Sequence, residues 1–252
     1  MKRALASVSV LALLLAGAFA QSPQKLIVMR DSIDYPPLEY HDGGRLTGFH
    51  VEQVEAVAAR LGLEVEWKEA PWARALYMAE AGEADAVIYL GWTAEREAWA
   101  LFEEGNALST TKFSFVIRKE SKETIVFNGD AAALLKGRTM MAIRGFALPP
   151  AILALNPGIY EAPNMKLMLE MLAARRYDLA FVNHGDFLGA YKDSPLAGQL
   201  LCLEPPISGA PTYIAFSKAK GHQDLAARFA AGMEAFKKTL DYQALKLKYG
   251  QP

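Results

Sequence analysis

Apolar positions in this chain alternate between short continuous runs and helical spacing, which predicts strands followed by covering helices. Leu26-Ile27-Val28-Met29 reads as a first strand, ending in the polar pair Arg30-Asp31. The prolines of Tyr35-Pro36-Pro37-Leu38 exclude helix and set an extended or turning path. Asp42-Gly43-Gly44 is a turn signal between short extended pieces. Val51, Val54, Val57, Ala58 and Leu61 then recur on one helical face, with Gly62 placed to end it. A strand over 64–67, a helix from Pro71 to about Ala81 and a buried strand over 86–90 follow. This β-α-β-α-β run predicts a parallel sheet flanked by helices.

A second, shorter α/β series begins with a strand over 112–118. A helix ends at Leu134-Leu135, with Gly137 behind it, and a strand over 139–143 leads to the turn Arg144-Gly145-Phe146. A helix near 148–155 carries Pro149 and Pro150 in its first turn, and a short extended piece follows at Ile159-Tyr160. Asn164 is placed to cap a helix whose Leu167, Met168, Met171 and Leu172 share a face. A strand over 178–182 is expected to end in a loop, Asn183-His184-Gly185, and 200–203 to form an edge strand. A strand over 213–216 and helices over 222–240 and 242–249 close the chain. Segments near Thr111 and Ala210 would be crossovers if the final part returns to the first series.

Composition narrows the classes. Lys2 and Arg3, an apolar stretch over 11–15 and Ala18-Phe19-Ala20 form an export signal over 1–20, with cleavage expected before Gln21. No cysteine lies near that point, so a lipid-anchored form is not expected. Setting aside Lys2 and Arg3, the 27 basic and 28 acidic residues leave a balance of −3. That argues against nucleic acid or an anionic membrane as partner. Cys202 is the single cysteine, so no intrachain disulfide can form, and it reads as a small packing residue.

Ligands of parallel sheets bind beyond the carboxyl ends of the strands. Tyr35, Trp72 and Arg96 all follow expected strands at that edge. In Gly91-Trp92-Thr93-Ala94-Glu95-Arg96, Gly91 lets the chain turn and Thr93 is an N-cap candidate. An arginine in the first turn of a helix opposes the helix dipole, which points to an anionic partner; guanidinium grips carboxylate through paired hydrogen bonds. The competing reading is a surface arginine paired with Glu95, Glu97 or Glu103. Arg74 is likewise open between the cleft and a surface pair with Glu69 or Glu80. Trp67, Trp92 and Trp99 read as packing residues, and Met165, Met168 and Met171 as core. The four histidines show no metal-ligand spacing, and neither a nucleophile elbow nor a phosphate or dinucleotide loop occurs. No cofactor or metal is expected.

Together these residues resemble the polar amino-acid-binding group of the periplasmic solute-binding proteins of ABC importers. The likeness rests on Tyr35-Pro36-Pro37-Leu38, on Gly48-Phe49 opening the first helix, and on Gly82 to Asp85 before a buried strand. Thr93-Ala94-Glu95-Arg96, Tyr177-Asp178-Leu179-Ala180 and Tyr213-Ile214-Ala215-Phe216 extend it over nearly the whole chain after residue 20. It implies an α/β fold of two lobes, each a mostly parallel sheet flanked by helices, joined by two hinge strands. Lobe 1 would comprise 21–111 and 211–252, and lobe 2 residues 112–210. Arg96 would grip a ligand carboxylate, helped by Thr93 and the backbone near Gly91. Tyr35 and Trp72 would sandwich the ligand, and Arg144, with Arg74 as a further candidate, would face it.

Two positions depart from the family pattern. Asn183 stands where an acid would pair with the ligand ammonium, leaving Asp186 in the following turn as a substitute. His50 replaces an acid at the start of the first helix and reads as a surface or capping change. The resemblance implies a monomeric, non-enzymatic periplasmic protein. It would deliver a small carboxylate-bearing ligand, an amino acid or a relative, to a membrane ABC permease. With Arg96, Arg144 and Arg74 near the cleft and Asn183 in the acid's place, an anionic ligand is a variant of that reading. An enzyme resembling cyclohexadienyl dehydratases, which would need an acid in the cleft, and a protein that presents ligand to a membrane sensor are the alternatives.

Overall fold

The computed structural model describes residues 24–191 and 194–251. The export signal expected over 1–20 lies outside them. In chain order the first series comprises β1 (Gln24–Asp31), β2 (Tyr40–Asp42), β3 (Arg45–Thr47), α1 (Phe49–Arg60), β4 (Leu63–Ala70) and α2 (Trp72–Glu80). β5 (Ala86–Gly91), α3 (Ala94–Glu97) and β6 (Ala100–Leu101) complete it. β7 (Ala107–Arg118) leads to α4 (Ala131–Leu135), β8 (Met140–Ile143), α5 (Pro150–Leu153), β9 (Ile159–Ala162) and α6 (Met165–Ala173). β10 (Leu179–Asn183), α7 (His184–Tyr191) and β11 (Leu200–Cys202) follow, and β12 (Ile207–Ser217), α8 (Gln223–Lys237) and α9 (Leu240–Lys248) end the chain.

The sheet runs β4-β1-β5-β12-β7-β10-β8-β9, and it divides by direction. β1 pairs in parallel with β4 and β5, and β8 in parallel with β10 and β9. Between these parallel halves, β12 and β7 run antiparallel to their neighbours and to each other. They cross between two cores. Leu108 of β7 packs with Val28, Val54, Ile214 and Phe229, whereas Phe113, Phe115 and Ile117 of the same strand pack with Leu179 and Phe181. β12 does the converse, with Ile207 against the second core and Ile214 and Phe216 in the first. The molecule therefore has two lobes joined by two strands.

Each crossover extends further than the sequence pattern. Strands expected over 112–118 and 213–216 are longer because Ser109, Thr110, Thr111 and Pro211, Thr212 interrupt the apolar runs, yet Ser109 pairs with Thr212 and Thr110 with Pro211 in the ladder. The loop expected at 183–185 is instead the end of β10 and the start of α7, whose Phe187 is buried and stacks on Tyr191 at 4.5 Å. α5 is shorter than expected, since Asn156 takes a left-handed φ of 47° just beyond it. The helix ends are otherwise as the capping residues suggest. Asn164 accepts from Leu167 N, and Gly62 supplies a φ of 72° behind α1. α8 and α9 return to the first lobe, where Gly232 lets α8 approach Val57 of α1.

Candidate functional site

A cavity of about 300 Å³ lies between the lobes at the carboxyl ends of β1, β5 and β10. That size falls at the lower end of small-molecule sites. Tyr35, Trp72, Gly91 and Arg96 line it from the first lobe, Phe146 and Asn183 from the second, and Thr111 and Thr212 from the crossovers. Trp72 and Phe146 meet edge to face at 5.9 Å, one ring from each lobe.

Arg96 is set by its own short segment. Thr93 caps α3, its hydroxyl accepting from Arg96 N at 3.1 Å, and this turns the arginine side chain inward. The residue is 7% exposed. Nη1 donates to the Gly91 carbonyl at 2.6 Å and Nη2 to the Gly145 carbonyl of the opposite lobe, which Trp72 Nε1 also reaches at 3.0 Å. Among the described residues no carboxylate pairs with Arg96, so the surface pairing with Glu95, Glu97 or Glu103 is not formed. Burial pushes the guanidinium down to about 10. A desolvated cation held only by carbonyl dipoles is poised to accept an anion in better geometry. Gly91 is needed here: a Cβ would come within 2.9 Å of the Ala147 Cβ and hold the lobes apart.

The other part of the cavity wall is acidic. Tyr35 donates to Asp31 at 2.8 Å, and its ring lies 5.8 Å from that of Tyr89. Tyr89 has a φ of 58°, rare for a bulky residue, at a bulge where Ile88 and Tyr89 lie opposite Ile214 alone. The bulge sends its hydroxyl across the cleft to both oxygens of Asp186, at 2.9 and 2.8 Å. Asn183 Nδ2 donates to Asp186 at 2.9 Å and to the Tyr89 oxygen at 3.1 Å. Burial pushes the Asp186 carboxyl up to about 6 against these hydrogen bonds. Glu39, 1% exposed, also lines the cavity, and burial raises it to about 8 despite Arg30 nearby. Burial likewise raises Asp31.

The structure thus brings Tyr35, Trp72, Gly91, Arg96 and Asn183 to one cavity, with Thr93 behind Arg96 as its cap. Arg74 and Arg144 lie elsewhere. Arg74 is exposed, 3.6 Å from Glu83 and over the Tyr77 ring, and Arg144 is exposed and pairs with Glu161 at 3.2 Å. Trp92, expected to pack, is 45% exposed and lines the cavity. His50, expected at the surface, is fully buried under the site. Its ring lies 5.1 Å from Tyr89, its Nε2 is 2.8 Å from Ser109 Oγ, and burial holds it down at about 3. Asp31, Glu39 and Tyr89 were not singled out by sequence. Asp31 and Tyr89 stand at the same strand edges that marked Tyr35 and Arg96, and that was the available signal.

The family described as bacterial extracellular solute-binding proteins, family 3, matches residues 27–252. The L-cystine-binding protein TcyA of Bacillus subtilis (strain 168) is 28% identical over 193 residues, 74% of this chain and 68% of that protein. A histidine kinase sensor domain with similarity to periplasmic binding proteins superposes with a TM-score of 0.76 at 22% identity, covering 90% of this chain and 96% of that one. An ancestral arginine-binding protein bound to arginine gives 0.74 at 22% identity, covering 90% and 99%.

Proposed function

The chain belongs to family 3 of the bacterial extracellular solute-binding proteins, and from that premise we propose that it captures a small amino acid between its lobes for a membrane ABC permease. The observation that carries the reading is Arg96, buried at the cavity wall with backbone carbonyls in place of a carboxylate partner. A ligand carboxylate exchanges for the Gly145 carbonyl, gaining charge-assisted hydrogen bonds where water is scarce. Trp72, Phe146 and Tyr213 enclose the ligand body. We place the lobe boundaries at 111/112 and 210/211, within the crossovers, so that closure bends β7 and β12 there. Export through the signal over 1–20 puts this capture outside the cytoplasm. Arg74 and Arg144 lie outside the cavity wall, which leaves the anionic-ligand variant only Arg96 and the uncharged Asn183 for support.

Thermal unfolding with the standard amino acids and a set of organic acids tests the reading. A ligand at a hundred times its Kd adds about 2.7 kcal/mol of stability. The Arg96→Ala protein is expected to lose that gain for every compound that gives it, and a retained gain sinks the carboxylate clamp.

A second reading, an enzyme on this fold, draws on one observation: Glu39 lines the cavity, where burial raises its carboxyl to about 8, a value suited to a proton donor. Incubating the purified protein with prephenate or arogenate separates the two. Product formation replaces the binding reading, and bound but unchanged compound upholds it.

A further inference from the structure

We propose that the ligand's side chain is bulky and apolar, and that it lies against a wall formed by Trp92 from the first lobe and Leu148, Pro149 and Pro150 from the second. The inference rests on the amino-acid reading above and adds the class of side chain that the same cavity selects.

The side-chain donors around the cavity are already engaged within the protein. Tyr35 donates to Asp31, and Tyr89 to Asp186. Trp72 Nε1 donates to the Gly145 carbonyl, and Asn183 Nδ2 to Asp186 and Tyr89. The crossover hydroxyls are spent as well, Thr111 on the Ala210 carbonyl at 3.2 Å and Thr212 on the Ser109 carbonyl at 3.4 Å. Among the described residues, the charged side chains on the wall are Arg96, Asp31 and Glu39. Arg96 is assigned to the ligand carboxylate. The two acids stand apart from the apolar wall: Asp31 ends β1 and Glu39 lies in the loop after it. In the sheet, β1 and β12 flank β5 on opposite sides, so these acids and Tyr213 of β12 line opposite parts of the cavity.

The apolar part is built from both lobes. Trp92 follows β5 directly, and at Gly91 beside it a Cβ would meet the Ala147 Cβ at 2.9 Å. That approach brings Trp92 and the segment 148–150 to the same part of the cleft. Trp92 is 45% exposed, so a ligand that covers its ring removes apolar surface from water. The start of a helix ordinarily offers free N–H groups, but Pro149 and Pro150, which open α5, have none to offer. A polar side chain placed here would give up its water and find no donor in exchange, whereas an aliphatic or aromatic one loses nothing.

Five amino acids separate the classes by titration calorimetry. L-leucine and L-phenylalanine are the branched and the aromatic apolar probes. L-asparagine has the shape of leucine with a polar amide, L-glutamine extends that amide by one methylene, and L-arginine carries a charge. On the wild type we expect leucine or phenylalanine to bind at least tenfold tighter than each of the other three, and the better of the two identifies the apolar class. Trp92→Ala or Leu148→Ala should weaken that probe at least fivefold.

Asparagine, glutamine or arginine binding within tenfold of the better apolar probe overturns the inference and leaves the amino-acid reading standing. So does a loss below fivefold in both variants, shown folded by thermal unfolding. If the variants do not fold, the wild-type ranking still decides. Failure of these five and of every other standard amino acid to bind sinks the amino-acid reading, and this inference with it.

Discussion

At one end of the cavity a buried guanidinium meets only backbone carbonyls; at the other, buried carboxyls meet two tyrosine hydroxyls and an amide. The arginine end is built by a single strand-turn-helix segment, 91–96, plus one carbonyl from across the cleft. The acid end draws Asp31, Glu39, Tyr89 and Asn183 from four places in the chain, with Asp186 behind the wall beside Asn183. Burial pushes charge off both ends, lowering Arg96 and raising Glu39 and Asp186. The difference lies in what relieves it. Arg96, lowered to about 10, stays charged near neutral pH, whereas Glu39, raised to about 8, trades its charge for a proton there.

The largest test of this contrast is the pH dependence of stability. Glu39 at about 8 and Asp186 at about 6 lie above their ordinary carboxyl values, so the folded state holds protons that the unfolded chain has released. Their contribution is full below about pH 4 and is lost as pH rises, through about 6 for Asp186 and about 8 for Glu39. Urea unfolding from about pH 5 to about pH 8 should show the wild type losing on the order of 3 kcal/mol relative to Glu39→Gln. His50, held at about 3, runs the other way: its contribution is present above about 6.5 and lost as pH falls towards 3. A wild-type-minus-variant difference flat with pH would mean that Glu39 holds no extra proton.

Tyr89→Phe removes the hydroxyl that joins the lobes at the acid end and leaves Asp186 with Asn183 as its remaining side-chain partner. A loss of about 2 kcal/mol in unfolding free energy is expected for a buried hydrogen bond to a carboxylate. An unchanged value would show that the cross-cleft contact does not hold the lobes. The smallest expected effect is a control on the arginine end. Arg74→Ala and Arg144→Ala remove exposed partners of Glu83 and Glu161, and such pairs contribute roughly 0–1 kcal/mol. Ligand affinity should change less than about twofold; a larger loss from either would place a second arginine at the site.

The two ends also differ in how far the sequence reveals them. The α/β order was legible because buried parallel strands and amphipathic helices carry distinct periods, as over Val51 to Leu61 and Ala86 to Leu90. Arg96 was legible because the Thr93 cap and the Gly91 carbonyl that set it lie within the same six-residue segment, with only the Gly145 carbonyl coming from afar. Tyr89 was not, since its left-handed backbone comes from a bulge against Ile214, more than a hundred residues away. Glu39 was hidden by a loop that folds back on itself, with Tyr35 N donating to the Glu39 carbonyl at 2.7 Å. His50 and Trp92 changed places with their expectations because burial at those positions is decided by Ser109 and by the opposite lobe. The start of α7 was missed because Asn183-His184-Gly185 has the composition of a turn, whereas Phe187 packs in a cluster with Met168, Val182 and Leu200 that holds the helix.

The central claim is that Arg96 holds a ligand carboxylate, and a thermodynamic cycle measures it most directly. The amino acid that stabilises the protein most in the thermal screen and its primary amide are titrated into the wild type and into Arg96→Ala. On the wild type the amide should lose on the order of 3 kcal/mol, as expected for breaking a buried charge-assisted pair. On Arg96→Ala the acid and amide should bind alike. An acid preference of the same size in both proteins would contradict the claim and move the carboxylate to another partner.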